Sequence, residues 1–137
     1  MALKGVSPAK LSLKWLRESD EGFHHIEMVE KWQQIPGHPG GGVRQDFAGI
    51  IDILALGPEG TLAVQTTRVS AWSAHVKKMR EHPSTPLLLA TPGWRVELHG
   101  WAKEKNRWVL KKRLKIVLDQ PQQEEEDDGV TQAQDTE

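Results

Sequence analysis

Asp52 is the residue of this sequence best placed to do chemistry. It lies in Asp46-Phe47-Ala48-Gly49-Ile50-Ile51-Asp52-Ile53-Leu54-Ala55-Leu56, a run apolar on both faces of a strand. Such a strand is usually central in its sheet. A carboxylate there needs a partner, a metal ion or a raised pKa. Gly57-Pro58-Glu59-Gly60 is turn material, and Thr61 to Thr67 reads as the returning strand. With Leu56 paired to Thr61, Asp52 falls directly opposite Gln65, and Thr67 faces the same way. A carboxylate, an amide and a hydroxyl are all oxygen donors. They suit Mg²⁺ or Mn²⁺, which would polarise a phosphate and lower the pKa of a bound water. The competing reading is a buried hydrogen bond that Asp52 accepts from Gln65 or Arg44.

Other chemistries find less support. Gly40-Gly41-Gly42 is followed by neither a Lys-Ser/Thr pair nor a helix, so it reads as a flexible connection, not a phosphate loop. His24 and His25 alternate across a strand, and His75 and His82 stand seven apart on a helix, so neither pair shares one ion. No Gly-x-Ser-x-Gly elbow occurs. With no cysteine there is neither a disulfide framework nor a thiolate zinc site.

The elements that must hold these residues follow from caps and periodicity. Ser7-Pro8 opens a helix whose buried stripe is Leu11, Trp15 and Leu16, and Asp20-Glu21-Gly22 ends it. Phe23 to Trp32 reads as a strand, with a helix as the competing assignment. Gln33 to Val43, with its prolines and glycines, reads as a loop. Ser70 to Glu81 is a helix with Val69, Trp72, Val76 and Met79 on its apolar stripe. Arg68, His75, Lys78 and His82 fall along another side. Leu87 to Ala90 reads as a short buried strand, Trp94 to Trp101 as another, and Arg107 to Leu118 as the last, after a turn at Asn106. The tryptophans mostly fill core and rim, since the chain has two Phe and no Tyr.

Charge is split unevenly. All 18 Lys and Arg lie at or before Lys115, and residues 1–118 carry +7. Residues 119–137 carry −8 and offer almost nothing to bury, so they are expected to form an acidic disordered tail beside a single domain at 1–118. A basic body suits a polyanion such as DNA. Lys103, Lys105, Arg107, Lys111, Lys112, Arg113 and Lys115 crowd together with Trp101 and Trp108 interleaved. Such residues contact phosphates and stack on exposed bases. The bland alternatives are a lysine-guarded edge strand and a tail that only aids solubility. No apolar run reaches transmembrane length and no signal peptide stands at the N-terminus, so an intracellular, cytoplasmic protein without membrane contact is expected.

The order helix, strand, strand bearing Asp52, strand bearing Gln65 and Thr67, helix, strand resembles the PD-(D/E)xK nuclease superfamily. Within it, the small Holliday-junction-resolvase-like and phage-encoded nucleases are the nearest in kind. The carrying stretches are Val43 to Asp52 and Leu62 to Thr67, and the resemblance spans residues 7–101. It implies that Asp52 is the first metal-binding acid, Gln65 stands at the second, the Thr66 carbonyl is a further ligand, and Thr67 occupies the lysine position. A further acid completes such sites; Glu30 is favoured over Glu18, with Asp46 an additional candidate. Two positions depart from the pattern: Gln65 brings no charge, and Thr67 cannot supply the lysine's cation. Lys31 and Lys77 are the candidates to replace it.

These readings together predict an α/β fold with a restriction-endonuclease-like core, a mixed central sheet of about four or five strands flanked by helices. The expected function is a Mg²⁺- or Mn²⁺-dependent endonuclease, working as a homodimer on branched or structured DNA. Asp52, Gln65, Thr67 and Glu30 would carry the chemistry, while Arg44, Arg68, Lys31, Lys77 and Lys78 would hold the DNA backbone. The alternative is a catalytically degenerate nuclease scaffold that only binds DNA. A third class is a protein-interaction module acting through the acidic tail.

Overall fold

The computed structural model describes residues 6–34, 36–37 and 42–118. The chain begins with helix α1 (Pro8–Glu18), as its cap signals predict. Ser7 Oγ accepts from the Lys10 amide at 3.2 Å, and Pro8 fills the first turn, where no N–H is needed. Its buried residues are Ala9, Ser12 and Leu16, while Leu11 and Trp15 are only half-buried. The expected stripe is thus rotated toward a serine. The reason is polar: Ser12 Oγ meets His99 Nδ1 at 2.9 Å and accepts from Trp101 Nε1 at 2.8 Å.

Among the described residues seven strands follow: β1 (His25–Met28), β2 (Lys31–Gln34), β3 (Gly42–Gln45), β4 (Ile53–Gly57), β5 (Gly60–Arg68), β6 (Trp94–Glu104) and β7 (Arg107–Lys115). A 3-10 turn at Val69–Ala71 leads into α2 (Trp72–Glu81), and α3 (Ser84–Ala90) precedes β6. The main sheet has the order β1-β4-β5-β6-β7, and β2 and β3 form a separate ribbon. The β5–β6 pair is parallel and its other pairs are antiparallel. The fold is therefore α/β, a mixed five-stranded sheet flanked by three helices. Leu56 pairs with Thr61, as the turn composition predicts.

β5 is the centre of the molecule, with residues 62–67 all buried. Alternation along the strand divides the core. Leu62 and Val64 join Leu16, Ile53 and Ala55 on the α1 face. Ala63 joins Val96, Leu98 and Met79 on the face covered by α2 and α3. Fully burying each large aliphatic contributes about 1.5–3 kcal/mol. Gly100 on β6 is required by contact: a Cβ there would lie 2.7 Å from the Trp72 ring.

Four expectations need correction. The strand expected over 23–32 is broken, because Val29 N and Glu30 N both donate to the Asp52 carbonyl, at 2.8 and 3.2 Å. With two donors on one oxygen the ladder ends, and the chain leaves the main sheet as β2. The loop expected over 33–43 gives up both ends to the ribbon, in which Gln33 pairs with Val43 and Gln34 with Gly42. The strand expected from Asp46 begins only at Ile53, since residues 47–51 close on themselves. Leu87 to Ala90 is helical. Pro86 falls in the first turn of α3, where it costs no hydrogen bond, and Thr85 Oγ1 donates to the Met79 carbonyl at 2.5 Å. Leu87 is 70% exposed, so the apolar run is not a buried strand. The β6–β7 turn falls at Asn106 as expected, with Lys105 and Asn106 both at positive φ. The acidic tail lies outside the described residues.

A buried polar chain ties α1 to the sheet. The Trp101 indole N–H donates to Ser12, so the Ser12 hydroxyl is left to donate to His99 Nδ1. His99 Nε2–H then donates to Glu97 Oε1 at 3.1 Å. Burial holds the His99 pKa below its ordinary value, which agrees with a neutral ring. Arg113 closes the chain on Glu97 and on Glu21, at 2.7 and 2.9 Å. Replacing Ser12 by Ala strands an indole N–H and a ring nitrogen in the core. We expect Ser12→Ala to lose about 1–3 kcal/mol of unfolding free energy, read as a lower urea midpoint at unchanged m-value.

Candidate metal centre

Three ladders converge one residue beyond their last pairs. β4 and β5 pair down to Ile53 and Val64, and the Asp52 N–H continues the ladder onto the Val64 carbonyl at 2.8 Å. Residues 47–51 form a tight excursion closed by an antiparallel bridge from Phe47 to Ile51. Gly49 at φ +82° and Ala48 at φ 56° make that reversal. One step beyond the bridge, Asp46 stands beside Asp52. The ribbon pairs Lys31 with Gln45, so one step beyond that pair Glu30 stands beside Asp46. Oxygen atoms of Glu30, Asp46 and Asp52 consequently lie within 4.8 Å of one another.

This cluster could hold a metal ion, and its electrostatics favour one. Asp52 is 5% exposed, and its Oδ2 accepts from Thr66 N at 2.9 Å and Thr66 Oγ1 at 2.7 Å. Its pKa is nevertheless pushed up to about 7. Burial is the main cause, and the charges of Asp46 and Glu30 add to it, outweighing the two Thr66 bonds. Asp46 Oδ1 is buried without a hydrogen-bond partner. An all-oxygen set with an unsatisfied lone pair suits a hard divalent cation better than a soft one.

The acids open on a cavity of about 400 Å³. Gln65, Thr66 and Thr67 line it, as do Arg68, His75 and Lys78. Gln65 sits opposite Asp52 in register, yet its amide donates to the Ile50 carbonyl and so braces the 47–51 turn. The expected Asp52–Gln65 contact is replaced by Asp52–Thr66. Thr67 is buried, with its hydroxyl 3.1 Å from His75 Nδ1. Arg68 lies with its guanidinium 5.5 Å from the centre of the Trp108 ring. Lys31 and Lys77 are exposed and are not among the cavity residues. The Arg44 side chain lies outside the described residues.

Sequence reasoning underrated Asp46 and missed His75. Asp46 was hidden by reading 46–56 as one strand, and Gly49 inside that run was the available signal. His75 carried a signal as well, in its three-residue spacing to Lys78 on one helix side. His82, on the same expected side, instead accepts from Ser84 N at 3.0 Å and starts α3.

The basic hairpin is partly engaged within the molecule. Lys111 pairs with Glu104, Lys112 lies 5.4 Å from the Trp72 ring centre, and Arg113 is bound to Glu21 and Glu97. Trp101 is 5% exposed, so it is a core residue and not a platform for bases. Lys103, Lys105, Arg107 and Lys115 remain exposed. No helix among the described residues is long and apolar enough to cross a membrane.

No protein family model, curated protein or solved structure matches this chain.

The raised pKa of Asp52 fixes two signs. Between about pH 4 and 7 the folded state binds a proton that the unfolded state has released, so this group's contribution to stability falls as pH rises. His99, held neutral, contributes the opposite slope below its ordinary pKa, so the informative quantity is a difference. In EDTA, Asp52→Asn should match wild type near pH 4 and exceed it above pH 7, by an amount on the order of 4 kcal/mol, in urea unfolding. A bound ion requires the ionised acid. Mn²⁺ affinity by calorimetry should therefore rise up to about tenfold per pH unit below 7 and level off above it.

Proposed function

We propose that this protein is a Mg²⁺- or Mn²⁺-dependent endonuclease that hydrolyses phosphodiester bonds in branched or structured DNA, acting as a homodimer. The observation that carries the reading is the convergence of Glu30, Asp46 and Asp52 within 4.8 Å, beside a cavity lined by Arg68 and Lys78. Negative and positive groups are thereby divided between the two parts of one site. The carboxylates would hold the cation, and the cations would hold the phosphate.

A bound divalent ion would supply a Lewis acid for the scissile phosphate and a water made more acidic. The chain's own residues do the rest. Glu30, Asp46 and Asp52 supply the charge that Gln65 does not. Thr66 orients Asp52 through two hydrogen bonds, and Gln65 holds the turn that places Asp46. Arg68 and Lys78 bind non-bridging oxygens without reading sequence. The N-terminal end of α1 also borders the cavity through Ser7 and Ala9, adding positive potential where the phosphate would lie. The exposed cations of the β6–β7 hairpin, Lys103, Lys105 and Arg107, extend the grip along the DNA.

A second reading is favoured by Thr67, which puts no cation at the position the resemblance gives to lysine. It is a nuclease scaffold that binds DNA without cutting it. One experiment separates the two. Purified protein is incubated with labelled four-way junction, flap and linear duplex, in Mg²⁺, in Mn²⁺ and in EDTA. We expect metal-dependent nicking, with Asp46→Asn and Asp52→Asn each lowering the rate by about 10³-fold or more, on the order of 4 kcal/mol in the barrier. Binding with no cleavage in either metal would establish the second reading instead.

A further inference from the structure

His75 is the titratable group of the cavity that neither the cation nor the phosphate contacts account for. It sits on the first turns of α2, half-buried, with its ring against the end of β5. Its Nδ1 has two partners, Thr67 Oγ1 and the Ala71 carbonyl, each at 3.1 Å. A carbonyl can only accept. The Thr67 hydroxyl has one proton, and it donates to the Arg68 carbonyl at 3.1 Å. Toward His75 it therefore also accepts. Both partners demand a donor, so Nδ1 carries the hydrogen of the neutral ring. Nε2 is left with its lone pair and with no hydrogen bond among the described residues. The arrangement is the reverse of His99, whose Nε2 carries the hydrogen toward Glu97.

A ring held in this tautomer is a proton acceptor in the cavity that the acids also line. His75 is not part of the group whose ligand atoms lie within 4.8 Å of one another, although it lines the same cavity. It lies on the side of Thr67, where the resemblance places a lysine.

We propose that His75 Nε2 is the general base of this site, accepting the proton of the water that attacks phosphorus, with Thr67 and the Ala71 carbonyl fixing the tautomer. The proposal rests on the hydrolytic reading above. In the step, a water O–H bond breaks and its proton passes to Nε2, while the water oxygen forms a bond to phosphorus. The P–O bond to the leaving sugar breaks, and the leaving oxygen takes a proton from solvent. Water and a phosphodiester become a phosphomonoester and an alcohol, with no oxidant or reductant required. The absent lysine is then replaced by a histidine delivered from the neighbouring helix.

Two measurements test this, and the first needs neither metal nor substrate. Long-range ¹H–¹⁵N spectra of the metal-free protein at alkaline pH, with His75→Asn used for assignment, should show the His75 ring protonated at Nδ1 and bare at Nε2. A ring protonated at Nε2 would overturn the proposal. The second is single-turnover cleavage by wild type, His75→Ala and His75→Asn in saturating Mn²⁺. Asn keeps an N–H near the Nδ1 position but has nothing in place of Nε2. Both variants should lose about 10²- to 10⁴-fold in rate with Mn²⁺ affinity unchanged, and added imidazole should restore part of the rate to His75→Ala alone. Wild-type cleavage matched by both variants would refute the base while leaving the nuclease reading intact. No cleavage by wild type would remove the reading itself, and the base with it.

Discussion

Mutual repulsion among three carboxylates is the constraint to which this fold answers. Left to themselves, Glu30, Asp46 and Asp52 would separate into water. They are held together because none can leave without breaking backbone hydrogen bonds. Asp52 donates to Val64 and accepts from Val29 and Glu30, so it joins three segments through its main chain alone. Asp46 is fixed between the ribbon and the 47–51 turn, and Gln65 braces that turn from below. Burial, with the charges of Asp46 and Glu30 adding to it, raises the pKa of Asp52, and Asp46 Oδ1 is left without a donor. Both fit a cluster that could hold a metal ion.

The legible part of the site was the part set by local turns. A short Gly-Pro-Glu-Gly connection fixes the pairing of Leu56 with Thr61, and every later pair on β4 and β5 follows from it. Ser7-Pro8 announces α1 in the same way. The illegible part depends on where strands stop. Asp46 to Leu56 has the apolar character of one continuous strand, and it folds back through positive φ at Ala48 and Gly49. Leu87 to Ala90 is as apolar as a buried strand, but Ser84, Thr85 and Pro86 supply a helical first turn. Such decisions are settled by hydrogen bonds to partners outside the segment, such as Thr85 to Met79 at the end of α2 and Gln65 to Ile50 from the next strand.

His75 and the basic hairpin show the same limit from opposite directions. The helix periodicity placed His75 on a side with Lys78, but its value lies in Thr67, eight residues earlier and on a different element. Counting cations, in contrast, overstated what the hairpin offers. Lys111, Lys112 and Arg113 are committed to Glu104, Trp72 and the pair Glu97 and Glu21. Arg113 in particular serves the buried chain through His99 to Ser12. A charge total cannot distinguish such structural cations from those turned to solvent.

The ribbon of β2 and β3 is a sheet separate from the main one, and its paired strands start next to Glu30 and end next to Asp46. Its base is thus made from two of the three carboxylates. A twist of the ribbon would alter the spacing of that pair, and an ion held there would stiffen the ribbon. Thermodynamic reciprocity then requires that a load on this arm and occupancy of the cluster strengthen or weaken each other by the same factor.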